Sequence, residues 1–173
     1  AGKAGRYVGI ELFAEAAEAA RDCIDTLIVG DVERIDLSAA GTGFDALIMS
    51  EVVEHFSDPW ATIARLAPLL RPGAAVFASS PNVAHWQVIR DLLRGRFDYA
   101  DAGVMDRTHL RWFTPAGYRA LFEGAGFTVD VVRPISNPRW RARLIDRMSG
   151  GRLSHLFMMQ MMVIGRRNET ERA

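Results

Sequence analysis

Two carboxylates placed at the ends of strand-like runs are the first residues of this chain able to do specific chemistry. Glu11 closes the run Tyr7-Val8-Gly9-Ile10, and Asp31 follows Gly30 at the end of Thr26 to Val29. A carboxylate at a strand end can accept hydrogen bonds from both hydroxyls of a ribose. A second one can take the exocyclic amine of an adenine, with the backbone N–H of Val32 meeting a ring nitrogen, and Leu12 or Phe13 can pack against the adenine face. Each residue also has a plain structural reading, Glu11 as an exposed helix-capping glutamate and Asp31 as a turn aspartate. The pair says more than either member.

A third polar end is denser. The apolar run Phe44 to Ser50, FDALIMS, stops at Ser50-Glu51 and is followed by Glu54-His55 and then Ser57-Asp58-Pro59. An imidazole exchanges protons near neutral pH, so His55 is suited to removing a proton from a hydroxyl nucleophile. It is equally suited to a structural bond with a backbone carbonyl. Residues 95–112, GRFDYADAGVMDRTHLRW, show no clean period and carry Asp106, Arg107 and His109. A long irregular segment in a compact domain is usually functional or disordered. Arg139, Arg141, Arg143, Arg147 and Arg152 cluster around Trp140, either as a phosphate-binding patch or as a solvated helical face.

The elements that must position these residues alternate between strand-length apolar runs and helical periods, the pattern of a mostly parallel sheet covered by helices. The alanine- and glutamate-rich stretch Ala14 to Arg21 predicts a helix. Asp58-Pro59 predicts a capped helix start running to Leu70, before Pro72-Gly73. Strands follow at Asp45 to Ser50 and Ala74 to Ser79, a turn at Ser80-Pro81-Asn82, and a helix at Ala84 to Leu93. Thr114-Pro115 starts another helix, Ala116 to Glu123, and Phe127 to Val132 reads as a strand. Ser154 to Ile164 predicts an antiparallel return strand, with Met158, Met159, Met161 and Met162 as core filling, and the tail from Arg166 reads as frayed. Residues 1–165 are expected to form a single domain. Gly41-Thr42-Gly43 precedes a strand, whereas a cofactor-cradling turn follows one.

Composition narrows the function classes. With 21 basic and 21 acidic residues, no global field points to nucleic acid or to a membrane surface. Lys3 is the only lysine, a bias that fits genome composition better than a binding surface. The single cysteine, Cys23, rules out a disulfide framework and fits a reducing cytoplasm. The longest apolar run, Leu156 to Gly165, is interrupted by Gln160 and too short to span a bilayer.

Taken in order, Glu11, Gly30-Asp31, FDALIMS with Ser50-Glu51 and Glu54-His55, and Leu69-Leu70-Arg71-Pro72-Gly73 resemble a class I S-adenosylmethionine-dependent methyltransferase over roughly residues 6–132. The resemblance implies a Rossmann-like, doubly wound α/β fold with an antiparallel last strand and helices on both faces. It implies a cofactor-binding set of Glu11, Leu12, Asp31, Val32, Ser50 and Glu51, with Ser50-Glu51 beside the ammonium group of S-adenosylmethionine. The spacing of Asp31 from Glu11 belongs to the same pattern. Ser80-Pro81-Asn82-Val83-Ala84-His85-Trp86 and Met105 to Thr114 resemble the substrate side of bacterial methyltransferases that accompany polysaccharide enzymes. They place Asn82, His85, Asp106 and Arg107 on the acceptor, and His109 beside them joins His55 as a candidate catalytic residue. The alternative for both segments is a structural loop packed by its own aromatics. Methyl transfer from a sulfonium rests largely on positioning, and the resemblance implies no metal.

The expected activity is methyl transfer to an oxygen or nitrogen of a small metabolite, a sugar or sugar nucleotide among the candidates. The protein is expected to be cytoplasmic, a monomer or homodimer, with no nucleic-acid or membrane partner. In nucleotide-binding α/β folds the glycine-rich loop lies about 20 residues before the acidic strand end, which counts back beyond Ala1. On the resemblance, the first strand and glycine loop are therefore expected to be absent from this chain. It is expected to be part of a longer protein, and on its own to bind the cofactor poorly and to leave unpaired strand edges. A binding module that keeps the fold without catalysis is the competing reading. A nicotinamide-dependent enzyme is disfavoured by the SEVVEHFSDP elbow and the Leu-Arg-Pro-Gly turn, and a nucleic-acid methyltransferase by the zero net charge.

Overall fold

The computed structural model describes residues 5–136 and 140–169 and divides into two compact units, Ala1–Gly43 and Phe44–Ala173. In the first, β1 (Val8–Glu11) and β2 (Thr26–Val29) run parallel, in register from Val8 opposite Thr26 to Glu11 opposite Val29. The connecting helix α1 (Ala14–Ala20) is almost all alanine and glutamate, strong helix formers, and buries Ala17. After β2, Gly30 adopts φ 154° and its N–H donates to the Glu11 carbonyl at 2.8 Å. A Cβ there would fall 2.6 Å from Ile35 Cγ2, so the tight exit from β2 requires glycine.

The second unit holds a four-stranded sheet in the order β3-β4-β6-β5. β3 (Phe44–Ser50) and β4 (Leu70–Pro81) are parallel, while β6 (Gln160–Arg167) runs antiparallel between β4 and β5 (Phe127–Pro134). The described strands thus make two sheets. Among the described residues β1 pairs only with β2, and β3 only with β4. Ile48 in β3 is 70% exposed, as expected for an edge strand.

Helix α2 (Pro59–Leu66) begins as its sequence predicts, with Asp58 Oδ1 accepting from the Ala61 N–H at 3.0 Å and proline at the first position. Helix α4 (Pro115–Gly124) repeats the device with Thr114 Oγ1 accepting from Gly117 N–H at 3.1 Å. Two further helices, α3 (Trp86–Leu93) and α5 (Trp140–Met148), complete the unit. The core buries Val76 and Ala78 of β4, Met161 and Val163 of β6, and Ile63 and Leu66 of α2. It continues through a row of buried rings, Phe113, Tyr118, Phe122 and Phe127, with successive centroids 5.2, 5.2 and 6.0 Å apart.

Several boundaries differ from the sequence expectation. Strand β4 begins at Leu70 and passes through Arg71-Pro72-Gly73, because Leu70 pairs with Phe44 and Ala75 with Ala46 across an irregularity. The helix expected to reach Leu70 ends at Leu66 and tightens into the 3-10 turn Ala67–Leu69. Strand β4 also extends through Ser80-Pro81, where a turn was expected, since Pro81 pairs with Gln160. The return strand starts at Gln160, because Ser154–Phe157 forms a 3-10 turn. It continues to Arg167, so Arg166 and Arg167 are in the sheet and not in a frayed tail. Met161 is fully buried, whereas Met159 is half exposed. Of the basic cluster, Arg139 and the Arg141 side chain lie outside the described residues. Among those residues, no helix is long and apolar enough to cross a membrane.

Candidate functional site

Parallel strands bring their carboxyl ends to one edge, where open α/β sheets bind ligands. In the first unit Glu11 and Asp31 stand at that edge of β1 and β2. Glu11 Oε1 accepts from the Phe13 N–H at 3.0 Å, and Leu12 is 56% exposed. Asp31 Oδ1 accepts from the Glu33 N–H at 2.9 Å, and its Oδ2 lies 3.4 Å from Arg34 Nε. Its main-chain carbonyl takes both the Arg34 and Ile35 N–H groups, closing the turn that contains the half-buried Val32.

In the second unit the ends of β3 and β4 carry Ser50 and Ser79, paired across the ladder with their hydroxyls 3.3 Å apart. Glu51 follows at φ 53°, the one non-glycine residue with positive φ among the described residues. Such backbone costs about 1–3 kcal/mol and clusters at functional sites. It is held there by its N–H, 3.1 Å from Ser79 Oγ and 3.3 Å from Ser79 O. Gln160 Nε2 donates to Glu51 Oε2 at 3.1 Å, while Oε1 is buried without a hydrogen-bond partner among the described residues.

The 3-10 turn Val53–His55 comes next, and Glu54 within it is 1% exposed. Neither carboxylate oxygen makes a hydrogen bond of normal geometry among the described residues, and the nearby Ser80 hydroxyl is likewise buried without one. Burial pushes its carboxyl up to about 7, the charge of Glu51 adds to the rise, and its own main chain and the Ser80 hydroxyl offset part of it. The Glu54 carbonyl accepts from the Leu110 and Arg111 N–H groups at 2.8 and 3.0 Å, pinning the irregular segment 95–112 to this turn. That segment has no helix beyond residue 93 and no strand, only an isolated bridge between Ala100 and Asp106.

The pin brings His55 and His109 together, their rings 4.9 Å apart and edge to face. His55 is exposed and places Nδ1 3.1 Å from the Thr108 carbonyl, while the buried His109 places Nδ1 3.2 Å from the Val104 carbonyl. A carbonyl only accepts, so Nδ1 donates in both rings and Nε2 carries the lone pair. One potential metal-ligating atom from each of Glu54, His55 and His109 lies within 4.8 Å of the others. Asp106 supports the loop by accepting from the Thr108 N–H and hydroxyl at 2.8 and 2.7 Å, contacts that hold its carboxyl below the usual range. Arg107 pairs with Asp101 at 2.6 Å. A cleft of about 540 Å³ opens beside them, lined by Tyr99, Arg107, His109, Leu110 and Trp112.

The acceptor-side candidates Asn82 and His85 sit differently. Asn82 is fully buried, its Nδ2 donating to the His155 and Met158 carbonyls at 2.7 and 2.8 Å and its Oδ1 accepting from Ala84 N–H at 2.9 Å. His85 is buried at the start of α3, where Nδ1 accepts from the Gln87 N–H at 3.4 Å and burial lowers its pKa. Both are engaged in turning the chain after β4. Sequence reasoning missed Ser79, Gln160 and Tyr118. Tyr118 donates its hydroxyl to the Ser79 carbonyl at 3.1 Å, and burial, then the charges of Glu54 and Glu51, raises its pKa well above the usual value. The one signal available was Gln160, the polar residue interrupting a run of methionines.

Comparison with known proteins agrees with this arrangement. A family model for a methyltransferase domain matches residues 2–132. A ubiquinone biosynthesis O-methyltransferase of Cereibacter sphaeroides is 32% identical over 125 residues, covering 65% of this chain and 46% of that protein. One from Xanthomonas axonopodis pv. citri is 31% identical over 131 residues, covering 69% of this chain and 50% of that protein. The chain spans about half the length of the curated relatives it matches. A SAM-dependent methyltransferase from Archaeoglobus fulgidus superposes with a TM-score of 0.65 at 15% identity, covering 92% of this chain and 75% of that one. A methyltransferase structure from Bacillus halodurans gives 0.60 at 14% identity, covering 94% and 83%. With carboxylates at its strand ends, an antiparallel strand inside an otherwise parallel sheet and a family match across most of its length, the chain belongs to the methyltransferase domain family, with the fold of a class I S-adenosylmethionine-dependent methyltransferase.

Proposed function

We propose that the protein methylates an oxygen of a small hydroxylated, ring-bearing acceptor using S-adenosylmethionine, and that both compact units belong to one methyltransferase domain. The family match, which runs across both units, supports the second statement. The buried, unpartnered Oε1 of Glu51 at the end of β3 carries the cofactor reading, since a carboxylate oxygen there suits an ammonium group. Ser50 and Glu51 would hold the amino acid end, and Glu11, Leu12, Asp31 and Val32 the ribose and adenine. When bound, S-adenosylmethionine supplies a methyl group already activated on a sulfonium. This chain's own residues position the acceptor and receive its proton. The cleft of Tyr99, Leu110 and Trp112 offers rings and apolar surface to a flat acceptor, with Arg107 at its rim. Its wall includes His109, whose Nε2 lone pair can take a hydroxyl proton. Oxygen is favoured over nitrogen by the relatives' description as O-methyltransferases, and those names lend nothing to a sugar acceptor.

The test is calorimetric titration of the protein with S-adenosylmethionine, followed by transfer of a labelled methyl group to a simple catechol. Saturable binding that Glu11→Ala weakens by about 1–3 kcal/mol, with label on the catechol oxygen, is expected. Equal affinity in the variant, a preference for NAD, or label on a sugar nucleotide instead of the catechol would sink the reading.

A further inference from the structure

We infer that Glu54, His55 and His109 form a binding site for a divalent transition-metal ion. This goes beyond the methyltransferase reading and departs from the metal-free expectation drawn from the sequence. Three observations carry it. The donor atoms already converge, one potential ligand atom from each residue lying within 4.8 Å of the others. Metal–ligand bonds of about 2.0–2.2 Å need the donors closer than this, at roughly 3–4 Å, a contraction within reach of side-chain rotation.

The second observation is the carboxylate. Glu54 is 1% exposed and neither of its oxygens makes a hydrogen bond of normal geometry among the described residues, the neighbouring Ser80 hydroxyl being buried and likewise without one. Buried charges in proteins are paired or coordinate metals, and the two imidazoles beside it are the neighbours able to share such an ion. Tyr118, the titratable group packed behind it, gives its hydroxyl to the Ser79 carbonyl.

The third is the outer shell. Metal-ligating histidines donate their second ring N–H to a carbonyl or carboxylate, which orients the ring and leaves the other nitrogen free to ligate. Both histidines do so, His55 to Thr108 O at 3.1 Å and His109 to Val104 O at 3.2 Å. The two carbonyls belong to the same segment that the Glu54 main chain anchors through Leu110 and Arg111. Ligands and their supports are therefore one connected structure.

The donor set selects the ion. Two imidazoles and one carboxylate suit zinc, cobalt, manganese or ferrous iron, whereas magnesium and calcium take oxygen ligands. Three protein ligands leave coordination positions open for water or for an oxygen of a small molecule. An ion bound here uses the Nε2 lone pair of His109, so the role of His109 as proton acceptor belongs to the metal-free protein.

Chelator-treated protein titrated with Zn²⁺, and separately with Co²⁺ while its visible spectrum is followed, tests the site without S-adenosylmethionine. Failure here is thereby distinct from failure of methyl transfer. One equivalent per chain is expected, with His55→Ala, His109→Ala and Glu54→Gln each weakening binding about 10–100-fold. His155→Ala should bind as the parent does. His55 is exposed, so its variant should keep the parent's thermal transition even if replacing a buried ligand disturbs folding. Absence of saturable binding, or binding unchanged in His55→Ala, overturns the inference, and so does a loss in His155→Ala.

Discussion

The rings of His55 and His109 meet edge to face, 4.9 Å between centroids and 70° between planes, although they come from a 3-10 turn after β3 and from an irregular loop before α4. The link is main-chain: the Glu54 carbonyl holds the Leu110 and Arg111 N–H groups, so the loop cannot shift without breaking two hydrogen bonds at the turn. Chemistry at one histidine is consequently tied to the position of the other.

Replacing His109 by alanine should lower kcat/KM for the acceptor by about 10²–10⁴-fold, the range of a lost proton-transfer group, while cofactor affinity stays within about twofold. Steady-state kinetics beside calorimetry separate the two effects. A large loss of cofactor affinity would place the loop over the donor site instead.

Glu54 makes the stability of the metal-free protein depend on pH in an uncommon direction. Its carboxyl is raised from 4.5 to about 7 by burial in the folded state. Between those values the folded state binds more protons than the unfolded state, so stability falls as pH rises through this window and levels off above it. The full change is at most about 3.5 kcal/mol, since each pH unit of the window contributes about 1.4 kcal/mol. Chemical denaturation in chelator at several pH values measures it, and Glu54→Gln should flatten this component. Stability that instead rises across the window in the parent relative to the variant would contradict the assignment.

Gly165 is fixed by close approach and not by its dihedral angles. A Cβ at this position in β6 would lie 2.4 Å from the Thr128 carbonyl oxygen and 3.1 Å from Val129 Cα, beside the register shift between Val129 and Val131. Backbone atoms cannot swing aside as a side chain can. Gly165→Ala should therefore destabilise the fold by about 1–3 kcal/mol, the scale of overpacking. Thermal melting checks this, and an unchanged midpoint would mean that β5 slides freely against β6.

Local chemistry was legible in the sequence. Asp58-Pro59 and Thr114-Pro115 start helices because a side-chain oxygen and a proline act within one turn, and both caps are present as read. Glu11, Asp31, Ser50 and Glu51 fall at strand ends because apolar runs stop there, and within each sheet parallel pairing carries those ends to one edge. Glu54-His55 and His109 were visible as residue types, yet nothing local says that Glu54 is buried without partners or that the two imidazoles touch. Those facts depend on hydrogen bonds between the Glu54 turn and Leu110 and Arg111, far along the chain. The contact of Gln160 with Glu51, the burial of Tyr118 beneath Ser79 and the extent of β4 and β6 are likewise properties of strand pairing. Short-range capping and periodicity are written within a few residues. Which strand lies between which others, and so which carboxylate loses its water, is settled only when distant segments pack.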